Sequence, residues 1–336
     1  MKNVLYIGNN LKQQRANVSA IGRLGPKLTE EGFKVRYASS KSHKTQRLLD
    51  MLWTCVRYGK ASQWVLVDTY STQNFYYALL VSQLCRIMGV PYIPILHGGN
   101  LPSRLKTNPL WSQMLFKPAF ALVSPSVYLK EAFEASGYKK LQYIPNSLEL
   151  EQYEFQEKEY SEVKLLWVRA FASIYNPELA VHVLKALQDQ GINASLCMVG
   201  PDTDGSMPEV KALANRLKVQ VEFTGKLPKK DWIALAKDYN IFINTTNYDN
   251  MPVSVIEAMA LGLPVVSTNV GGLPYLLHHE KEALLVPPKD VDAFVVAIKQ
   301  LIYNPVATRT MTFNARKKVE QFDWELVKHQ WIKLLG

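Results

Sequence analysis

The sequence predicts an α/β protein with two doubly wound parallel sheets. Short buried apolar runs alternate with amphipathic helical stretches along the chain, which is the pattern of repeated βαβ units. A polar, Glu-rich stretch at 149–162 lacks apolar periodicity and separates two such series. The chain has 336 residues, enough for two domains of ordinary size. We therefore expect an N-terminal domain over 1–150, a linker over 151–162 and a C-terminal domain over 163–318.

The first series opens with a strand that ends at Gly8, followed by a polar loop and a helix, and then continues the alternation. Its predicted strands cover residues 4–8, 34–39, 64–68, 91–96, 120–124 and 143–147. Its predicted helices cover residues 18–31, 45–58, 75–88 and 126–136.

The second series repeats this alternation. Its predicted strands cover residues 163–168, 194–199, 219–223, 239–243, 264–268 and 283–286. Its predicted helices cover residues 177–190, 209–217, 230–238, 253–262 and 291–303. The last stretch, 319–336, carries an apolar helical face, and we expect it to pack back on the N-terminal domain.

The composition is that of a soluble globular protein, because 48% of the residues are hydrophobic and 20% are charged. No apolar run approaches the length that a bilayer-spanning helix needs. The cysteines Cys55, Cys85 and Cys197 are widely spaced and form no metal-binding pattern. We expect them to be buried as small apolar side chains in a protein of a reducing, cytoplasmic compartment.

The basic charge of the chain is concentrated in its first half. Residues 1–150 hold 19 Lys and Arg against 7 Asp and Glu, a net charge of +12, whereas residues 151–336 hold 20 against 22, a net charge of −2. This asymmetry favours an anionic partner for the first domain, such as a membrane surface or a phosphorylated acceptor. Nucleic acid is disfavoured, because no recognition motif accompanies the charge. The alternative is a solvated basic surface without a partner.

The segment 249–257 is the most informative stretch for function. It begins with Asp249, ends with Glu257, holds Pro252 between them and leads into the predicted helix 253–262. The predicted strand before it places the segment at a carboxyl end of the sheet, where ligands bind in open parallel sheets. Taken singly, an acid at a helix start is more often a cap or an exposed charge.

Further candidate site residues directly follow other buried strands. Gly8 ends the first strand, and Arg169 follows the first strand of the second series. His97 follows the fourth strand and precedes Gly98 and Gly99. Glycines let a ligand approach the backbone closely, and an arginine fork pairs well with phosphate. The alternatives are that His97 only makes hydrogen bonds within a turn and that Arg169 only lies on the surface. The loop after Gly8 lacks the three spaced glycines of a dinucleotide fingerprint, which disfavours NAD binding.

These residues resemble a known family, the retaining glycosyltransferases of family 4. The stretch 249–272 resembles that family's two acids separated by seven residues, followed by its Glu-Ala-Met-Ala, Gly-x-Pro-Val-Val and Gly-Gly elements. The similarity continues at 284–288, at 223–225 and in the loop that begins at His97, and it is looser in the first half of the chain. The resemblance implies the GT-B fold, in which two doubly wound Rossmann-like domains face a cleft.

The resemblance also implies roles in binding a nucleoside diphosphate sugar. Glu257 would hold the ribose hydroxyls, Asp249 the donor sugar and Arg169 the diphosphate. His97 would lie beside the transferring sugar, so the expected catalytic residues are His97, Asp249 and Glu257. The other expected donor-binding residues are Gly8, Gly98, Gly99, Lys226, Leu227, Asn250, Met251, Pro252 and Val253. No metal and no cofactor are expected, since the nucleotide sugar is itself the substrate.

Three departures from the family pattern bear on the donor. Asp249 stands where the family most often has Glu, and its side chain is one methylene shorter. The family usually has a lysine one turn after the residue that matches Arg169, and this chain has none there. The loop after Gly8 lacks the usual paired glycines, and Lys12 or Arg15 would supply charge there instead.

We therefore expect a metal-independent, retaining glycosyltransferase that moves a hexose-type sugar from a nucleoside diphosphate sugar to an acceptor hydroxyl. The expected acceptor is a glycan or glycolipid of cell-surface glycan synthesis, bound by the basic first domain. The enzyme would work in the cytoplasm, peripherally at the inner face of the membrane. The alternatives are a sugar-nucleotide epimerase of the same fold and a non-catalytic relative that binds a sugar nucleotide or glycan.

Overall fold

The computed structural model describes residues 2–11 and 19–336, which form two compact units. The first unit comprises the chain up to Pro145 together with Glu325–Gly336, and the second comprises Asn146–Trp324. Each unit contains one six-stranded sheet, and every strand pairing in it is parallel. The predicted α/β class with two doubly wound sheets is therefore confirmed.

The first unit alternates strands and helices as a doubly wound sheet requires. Its strands are β1 (Asn3–Ile7), β2 (Lys34–Ala38), β3 (Trp64–Thr69), β4 (Tyr92–Leu96), β5 (Leu122–Ser124) and β6 (Leu141–Tyr143). Its helices before residue 145 are α1 (Ala20–Glu30), α2 (Lys44–Tyr58), α3 (Asn74–Met88), α4 (Leu101–Thr107), α5 (Pro109–Phe116) and α6 (Val127–Ala135).

The strand order of the first sheet is β2-β1-β3-β4-β5-β6. From β1 the chain first adds β2 on one side and then adds β3 and the later strands on the other side. The position between β1 and β3 is therefore the switch point, where open α/β sheets bind ligands. Right-handed crossovers place α1 on one face of the sheet and α2, α3 and α5 on the other. Because helices cover both faces, β1 and β4 are buried along almost their whole length.

The second unit repeats the architecture with a different strand order. Its strands are β7 (Val163–Val168), β8 (Ala194–Val199), β9 (Val221–Gly225), β10 (Ile241–Asn244), β11 (Val265–Thr268) and β12 (Leu284–Val286). Its helices are α7 (Pro177–Asp189), α8 (Met207–Arg216), α9 (Lys229–Leu235), α10 (Val253–Ala260), α11 (Leu273–Leu276), α12 (Val291–Tyr303) and α13 (Pro305–Glu320). The order β12-β11-β10-β7-β8-β9 places its switch point between β7 and β10.

The last helix, α14 (Trp324–Leu335), returns the chain to the first unit. The Trp64 indole donates a hydrogen bond from Nε1 to the Leu335 carbonyl at 2.8 Å. The Lys328 ammonium lies 3.5 Å from a carboxylate oxygen of Glu31. The side chains of Val327 and Trp331 are buried, so α14 contributes apolar packing as well as polar contacts.

Four helices, α4, α5, α11 and α13, were not expected from the sequence. Both α5 and α13 begin at a proline preceded by an asparagine, at Pro109 and at Pro305. An Asn-Pro pair suggests a turn. Proline nevertheless suits the first position of a helix, because its fixed φ is helical and its missing N–H would have no intrahelical partner there.

The polar stretch 149–162 is part of the second unit and packs on its core. Tyr153 is only 1% exposed, and the backbone N–H of Gln156 donates to the Leu261 carbonyl at 3.2 Å. The Asn240 amide donates to the carbonyls of Glu159 and Glu162, in each case at 2.7 Å. These contacts join the stretch to the core and to the edge of β10.

All three cysteines are buried and free, as the sequence indicated. Cys55 on α2 and Cys85 on α3 are nevertheless neighbours, with their Sγ atoms 3.6 Å apart. Within the described part of the chain, every helix is too short or too polar to span a bilayer.

Candidate functional site

The carboxyl ends of β7 and β10 bring two of the predicted site residues into contact. Arg169 directly follows β7, and Asp249 lies in the loop between β10 and α10. Because these strands are neighbours at the switch point of the second sheet, their ends share one edge. The Arg169 Nη2 atom donates a hydrogen bond to Asp249 Oδ2, and the two side chains form an ion pair.

Arg169 is a largely buried cation with capacity for a further partner. Its side chain is 13% exposed, and its guanidinium carbon lies 4.0 Å from the centroid of the Tyr175 ring. Burial lowers the pKa of this guanidinium, and the adjacent Tyr175 acts in the opposite direction. Its Nε atom has no hydrogen-bond partner among the described residues. Since buried polar atoms are nearly always paired, Arg169 is suited to receive a phosphate oxygen.

Backbone packing holds the loop that carries Asp249. The Gly272 N–H donates to the Asp249 carbonyl at 2.9 Å. A Cβ atom at Gly272 would lie 1.9 Å from the Asn250 carbonyl oxygen, so a side chain there would displace the loop. The Asn250 N–H donates to Asp249 Oδ1 at 2.8 Å. One carboxylate oxygen is thereby held by the backbone while the other contacts Arg169.

The same loop leads into the N-terminus of α10. The N–H groups of Val255 and Ile256 donate to the Pro252 carbonyl, at 3.2 and 3.3 Å. The first helical residues, Val253 and Ser254, precede these bonds and lie at the positive end of the helix dipole. The Ser254 hydroxyl is buried and has no hydrogen-bond partner within residues 2–11 and 19–336. Such a helix start is suited to an anion.

Glu257 lies one turn into α10, and its carboxylate is buried in a defined set of contacts. The residue is 8% exposed. The Tyr153 hydroxyl donates to Glu257 Oε1 at 2.7 Å, and the Lys229 ammonium lies 3.4 Å from the same oxygen. The Lys229 ammonium also lies 5.1 Å from the centroid of the Tyr153 ring. These contacts fix one edge of the carboxylate.

The remaining predicted residues of the second unit lie on either side of this helix start. Met251, Leu227 and Val253 belong to one apolar cluster, which also contains Tyr153. Met251 and Pro252 are buried, whereas Lys226 is exposed at the end of β9. The structure therefore joins Leu227 to the surroundings of Glu257 and leaves Lys226 facing solvent.

In the first unit, Gly8 and His97 both lie next to an aspartate, Asp68, that was not expected from the sequence. Asp68 on β3 lies next to His97, with Oδ1 2.9 Å from the imidazole Nε2. The Tyr6 hydroxyl donates to the same oxygen at 2.9 Å. A Cβ atom at Gly8 would lie 2.5 Å from Asp68 Oδ2, so the glycine makes room for this carboxylate.

Burial shapes the electrostatics of this first-unit cluster. Burial, followed by the Asp68 charge, raises the pKa of the Tyr6 phenol well above its ordinary value. Asp68 Oδ2 has no hydrogen-bond partner among the described residues. The carboxylate borders a cavity of about 10 Å³, together with Gly8 and Tyr70. A space of this size accepts a single water-sized polar group.

Close packing requires a glycine at position 98. A Cβ atom there would lie 2.4 Å from the backbone nitrogen of Ser71. The His97 N–H donates to the Thr69 carbonyl at 2.9 Å, which joins the end of β4 to the end of β3. Gly99 is half-buried in the following turn. These contacts hold the His97 loop against the neighbouring strand.

Several residues of these clusters were not expected from the sequence, namely Tyr6, Asp68, Tyr153, Tyr175, Lys229 and Ser254. Asp68 had a signal, because it stands at the carboxyl end of a predicted strand, as His97 does. Tyr153 and Lys229 had none, because 104 and 28 positions separate them from Glu257. Lys12 and Arg15, suggested as substitute charges, lie outside the described residues.

Within the described ranges, no group of three or more His, Cys, Asp or Glu side chains is arranged to hold a metal ion.

Comparison with known proteins assigns the family. The family model described as "Glycosyl transferases group 1" matches residues 151–318. The chain is 24% identical over 149 residues to the glycogen synthase of Mycobacterium tuberculosis (strain ATCC 25618 / H37Rv), covering 44% of this chain and 36% of that protein. It spans between 28% and 57% of the length of the first curated relatives it matches.

Solved structures share the whole fold. Sucrose-phosphate synthase from Thermosynechococcus elongatus has a TM-score of 0.81 at 17% identity, covering 99% of this chain and 98% of that one. Anabaena HepE in complex with UDP-glucose has a TM-score of 0.79 at 16% identity, covering 100% and 99%. These similarities confirm the predicted GT-B class of fold. The family match covers half of the chain, and the protein belongs to the glycosyl transferases group 1 family.

Proposed function

We propose that the protein is a retaining glycosyltransferase of family 4 that moves a sugar from a nucleoside diphosphate sugar to an acceptor hydroxyl. The observation that carries the proposal is the set of polar groups at the switch point of the second sheet. Arg169 Nε and Ser254 Oγ are buried without partners in the described chain, next to the charged pair of Arg169 and Asp249. Family membership and the UDP-glucose complex of HepE, which shares this fold, support a nucleotide sugar as the ligand.

The leaving diphosphate gains negative charge as the bond to the sugar breaks, and the site must stabilise that charge. Arg169 offers a planar fork of donors, and the start of α10 offers N–H groups and the Ser254 hydroxyl. In this proposal these groups supply the positive charge and no divalent metal is required. Asp249 would keep the guanidinium oriented before the donor binds and would accept a sugar hydroxyl afterwards.

Glu257 is the proposed ligand of the ribose hydroxyls. The Tyr153 hydroxyl and the Lys229 ammonium contact one of its oxygens, and these contacts hold the carboxylate in one orientation. In the transfer itself, the bond between the anomeric carbon and the diphosphate oxygen breaks, and the acceptor oxygen bonds to that carbon on the same face. The acceptor proton leaves with the diphosphate, and His97 is proposed to lie beside the transferring sugar.

The acceptor is proposed to be a glycan or glycolipid bound by the first unit. The net charge of +12 over residues 1–150 suits a phosphorylated or membrane-associated acceptor. The name of the glycogen synthase relative agrees with an acceptor that is itself a carbohydrate.

A panel of UDP-, GDP- and ADP-sugars tests the donor site, with EDTA present to remove divalent metals. One donor should raise the melting temperature, because a ligand at 100 times its Kd stabilises the folded state by about 2.7 kcal/mol. Glu257→Gln should leave the melting temperature of the free protein unchanged and weaken donor binding roughly 10- to 100-fold, since it removes a charge-assisted contact. Release of nucleoside diphosphate with an acceptor present reports transfer.

Glu222→Gln is the matched control. Glu222 on β9 accepts a hydrogen bond from the Tyr239 hydroxyl at 2.8 Å, which reproduces the chemistry of Glu257 and Tyr153 at an exposed position. This variant should respond to the donor as the wild type does. A flat response to every sugar nucleotide would contradict the proposed site. Donor binding without transfer would indicate a non-catalytic relative, and conversion of the donor sugar without release of diphosphate would indicate an epimerase.

A further inference from the structure

The face of the first unit formed by α3 and α5 exposes large apolar side chains. The exposed residues of α3 are Tyr76, Leu80 and Ile87. Those of α5 are Leu110, Trp111 and Met114. We refer to these six residues as the α3–α5 face. Ile87 is 84% exposed and Leu110 is 73% exposed, so water contacts most of their apolar surface.

The two helices present this face as one surface. The Tyr76 and Trp111 rings contact each other edge to face, with centroids 5.4 Å apart. The Gln83 amide on α3 donates to the Met114 carbonyl on α5 at 3.1 Å. An apolar patch of this kind marks an interaction site, because a soluble monomer rarely exposes a large contiguous one.

The neighbouring helix α2 extends the surface. Leu49, Trp53 and Val56 follow helical spacing along its outward side, and each is more than half exposed. Helix α2 packs beside α3, where the Tyr77 hydroxyl donates to the Lys44 carbonyl at 3.3 Å. Three adjacent helices on one side of the sheet thus show apolar outward stripes.

The segment that carries the α3–α5 face has charges of one sign. Residues 69–130 contain no Asp and no Glu. The same residues include Arg86, Lys106 and Lys117, all exposed on or beside α3 and α5. A surface with tryptophan, tyrosine and aliphatic side chains, basic residues and no acid has the composition of a helix face that lies in a membrane interface.

We propose that the α3–α5 face docks on an anionic lipid bilayer. Its apolar side chains enter the headgroup region, and the exposed basic residues pair with lipid phosphates. A second copy of the chain is a poorer occupant. Two copies joined through this face would bring the basic residues of 69–130 together without an acid of that segment to pair with them.

Sedimentation of the full-length protein with lipid vesicles tests the proposal. One set is phosphatidylcholine, and the other is an equal mixture of phosphatidylcholine and phosphatidylglycerol. The protein should bind the mixed vesicles, and added NaCl should weaken the binding, because exposed charges are screened. Changing Ile87→Ser and Leu110→Ser together should reduce binding roughly tenfold or more, since two aliphatic side chains no longer enter the interface.

Control variants separate the apolar contribution from the electrostatic one. Val306→Ser on α13 removes an aliphatic side chain that is 79% exposed in the second unit, and binding should stay unchanged. Arg86→Gln and Lys117→Gln should each weaken binding to the mixed vesicles about fivefold, because each removes one positive charge.

Three outcomes would overturn the proposal. The first is equal binding by the wild type and the Ile87/Leu110 variant, and the second is no binding to either kind of vesicle. The third is a dimer, seen by light scattering, that the Ile87/Leu110 changes convert to a monomer, since the face would then join two copies. Vesicle binding is measured without sugar transfer, so none of these results depends on the proposed glycosyltransferase activity.

Discussion

At the scale of single residues, two of the departures from the family pattern concern Arg169 and Asp249. The lysine that usually follows the arginine is absent, and the leading acid is one methylene shorter. In the structure that shorter acid pairs directly with the arginine. Both side chains are largely buried, so each charge depends on the other for its stability in the protein.

Replacing Asp249→Asn should destabilise the second unit by about 1–3 kcal/mol, because the buried guanidinium loses its counter-charge. Urea denaturation measures the change. The control is Asp189→Asn, which breaks the exposed pair of Lys185 and Asp189 on α7 and should cost less than about 0.5 kcal/mol. Equal effects of the two substitutions would show that the Arg169 pair has no special importance for stability.

At the scale of elements, the loop between β7 and α7 is held by an aspartate that lies outside the predicted site. The Asp204 carboxylate accepts hydrogen bonds from the Ser173 N–H at 2.7 Å and from the Ser173 hydroxyl at 2.9 Å. It also accepts one from the Ser206 N–H at 3.1 Å. The same loop carries Tyr175, whose ring packs against the Arg169 guanidinium. The position of this loop therefore affects the surroundings of the arginine.

The pH dependence of this loop follows from the Asp204 carboxylate. The hydrogen bond from the Ser173 backbone, with those from the Ser173 hydroxyl and the Ser206 N–H, lowers the pKa of Asp204 from 3.8 to about 2. The charged form is the one that accepts these bonds. The contribution of the charged Asp204 carboxylate to stability is therefore complete above pH 3.8 and is lost as the pH falls through about 2.

The amide resonance of Ser173, followed by NMR during acid titration, should move with a midpoint near the pKa of about 2. In Asp204→Asn this transition should disappear, because the amide cannot ionise. A wild-type midpoint close to 3.8, the ordinary pKa of an aspartate, would show that the carboxylate does not hold the loop.

At the scale of the whole molecule, the chain builds the first unit from both of its ends. Helix α14 follows the second unit in sequence yet belongs to the first. Its buried residues include Val327, Trp331 and Leu335, whereas Leu326 on the opposite side is 56% exposed. The first unit is therefore complete only when the last twelve residues have packed.

Trp331→Ala should destabilise the first unit by about 3–5 kcal/mol, the usual cost of removing a buried aromatic side chain. Leu326→Ala on the same helix should change stability by no more than about 0.5 kcal/mol. Hydrogen exchange resolves the effect by region, and protection should fall in β1 to β6 and remain in β7 to β12. Loss of protection in the second sheet alone would contradict the assignment of α14.

The prediction of elements from sequence succeeded where local pattern is strong. Eleven of the twelve strands were expected within two residues of their observed bounds, and the spans 194–199 for β8 and 291–303 for α12 agree with the structure at both ends. The strand expected at 143–147 shares only Tyr143 with β6. The sequence pattern did not predict α5 and α13, each of which begins at a proline that follows an asparagine. Boundaries near β9 and β10 moved by one or two residues, because the ends of strands depend on which neighbours they pair with.

The sequence by itself determined the α/β class, the two series of βαβ units and the segment from Asp249 to Glu257. Each of these follows from the order of nearby residues. Only the tertiary structure decided that Tyr153 and Lys229 hold Glu257, that Asp68 joins Gly8 to His97, and that Cys55 touches Cys85. These contacts join residues that are far apart in the chain, and the order of strands in each sheet determines which of them meet. Local periodicity does not encode that order.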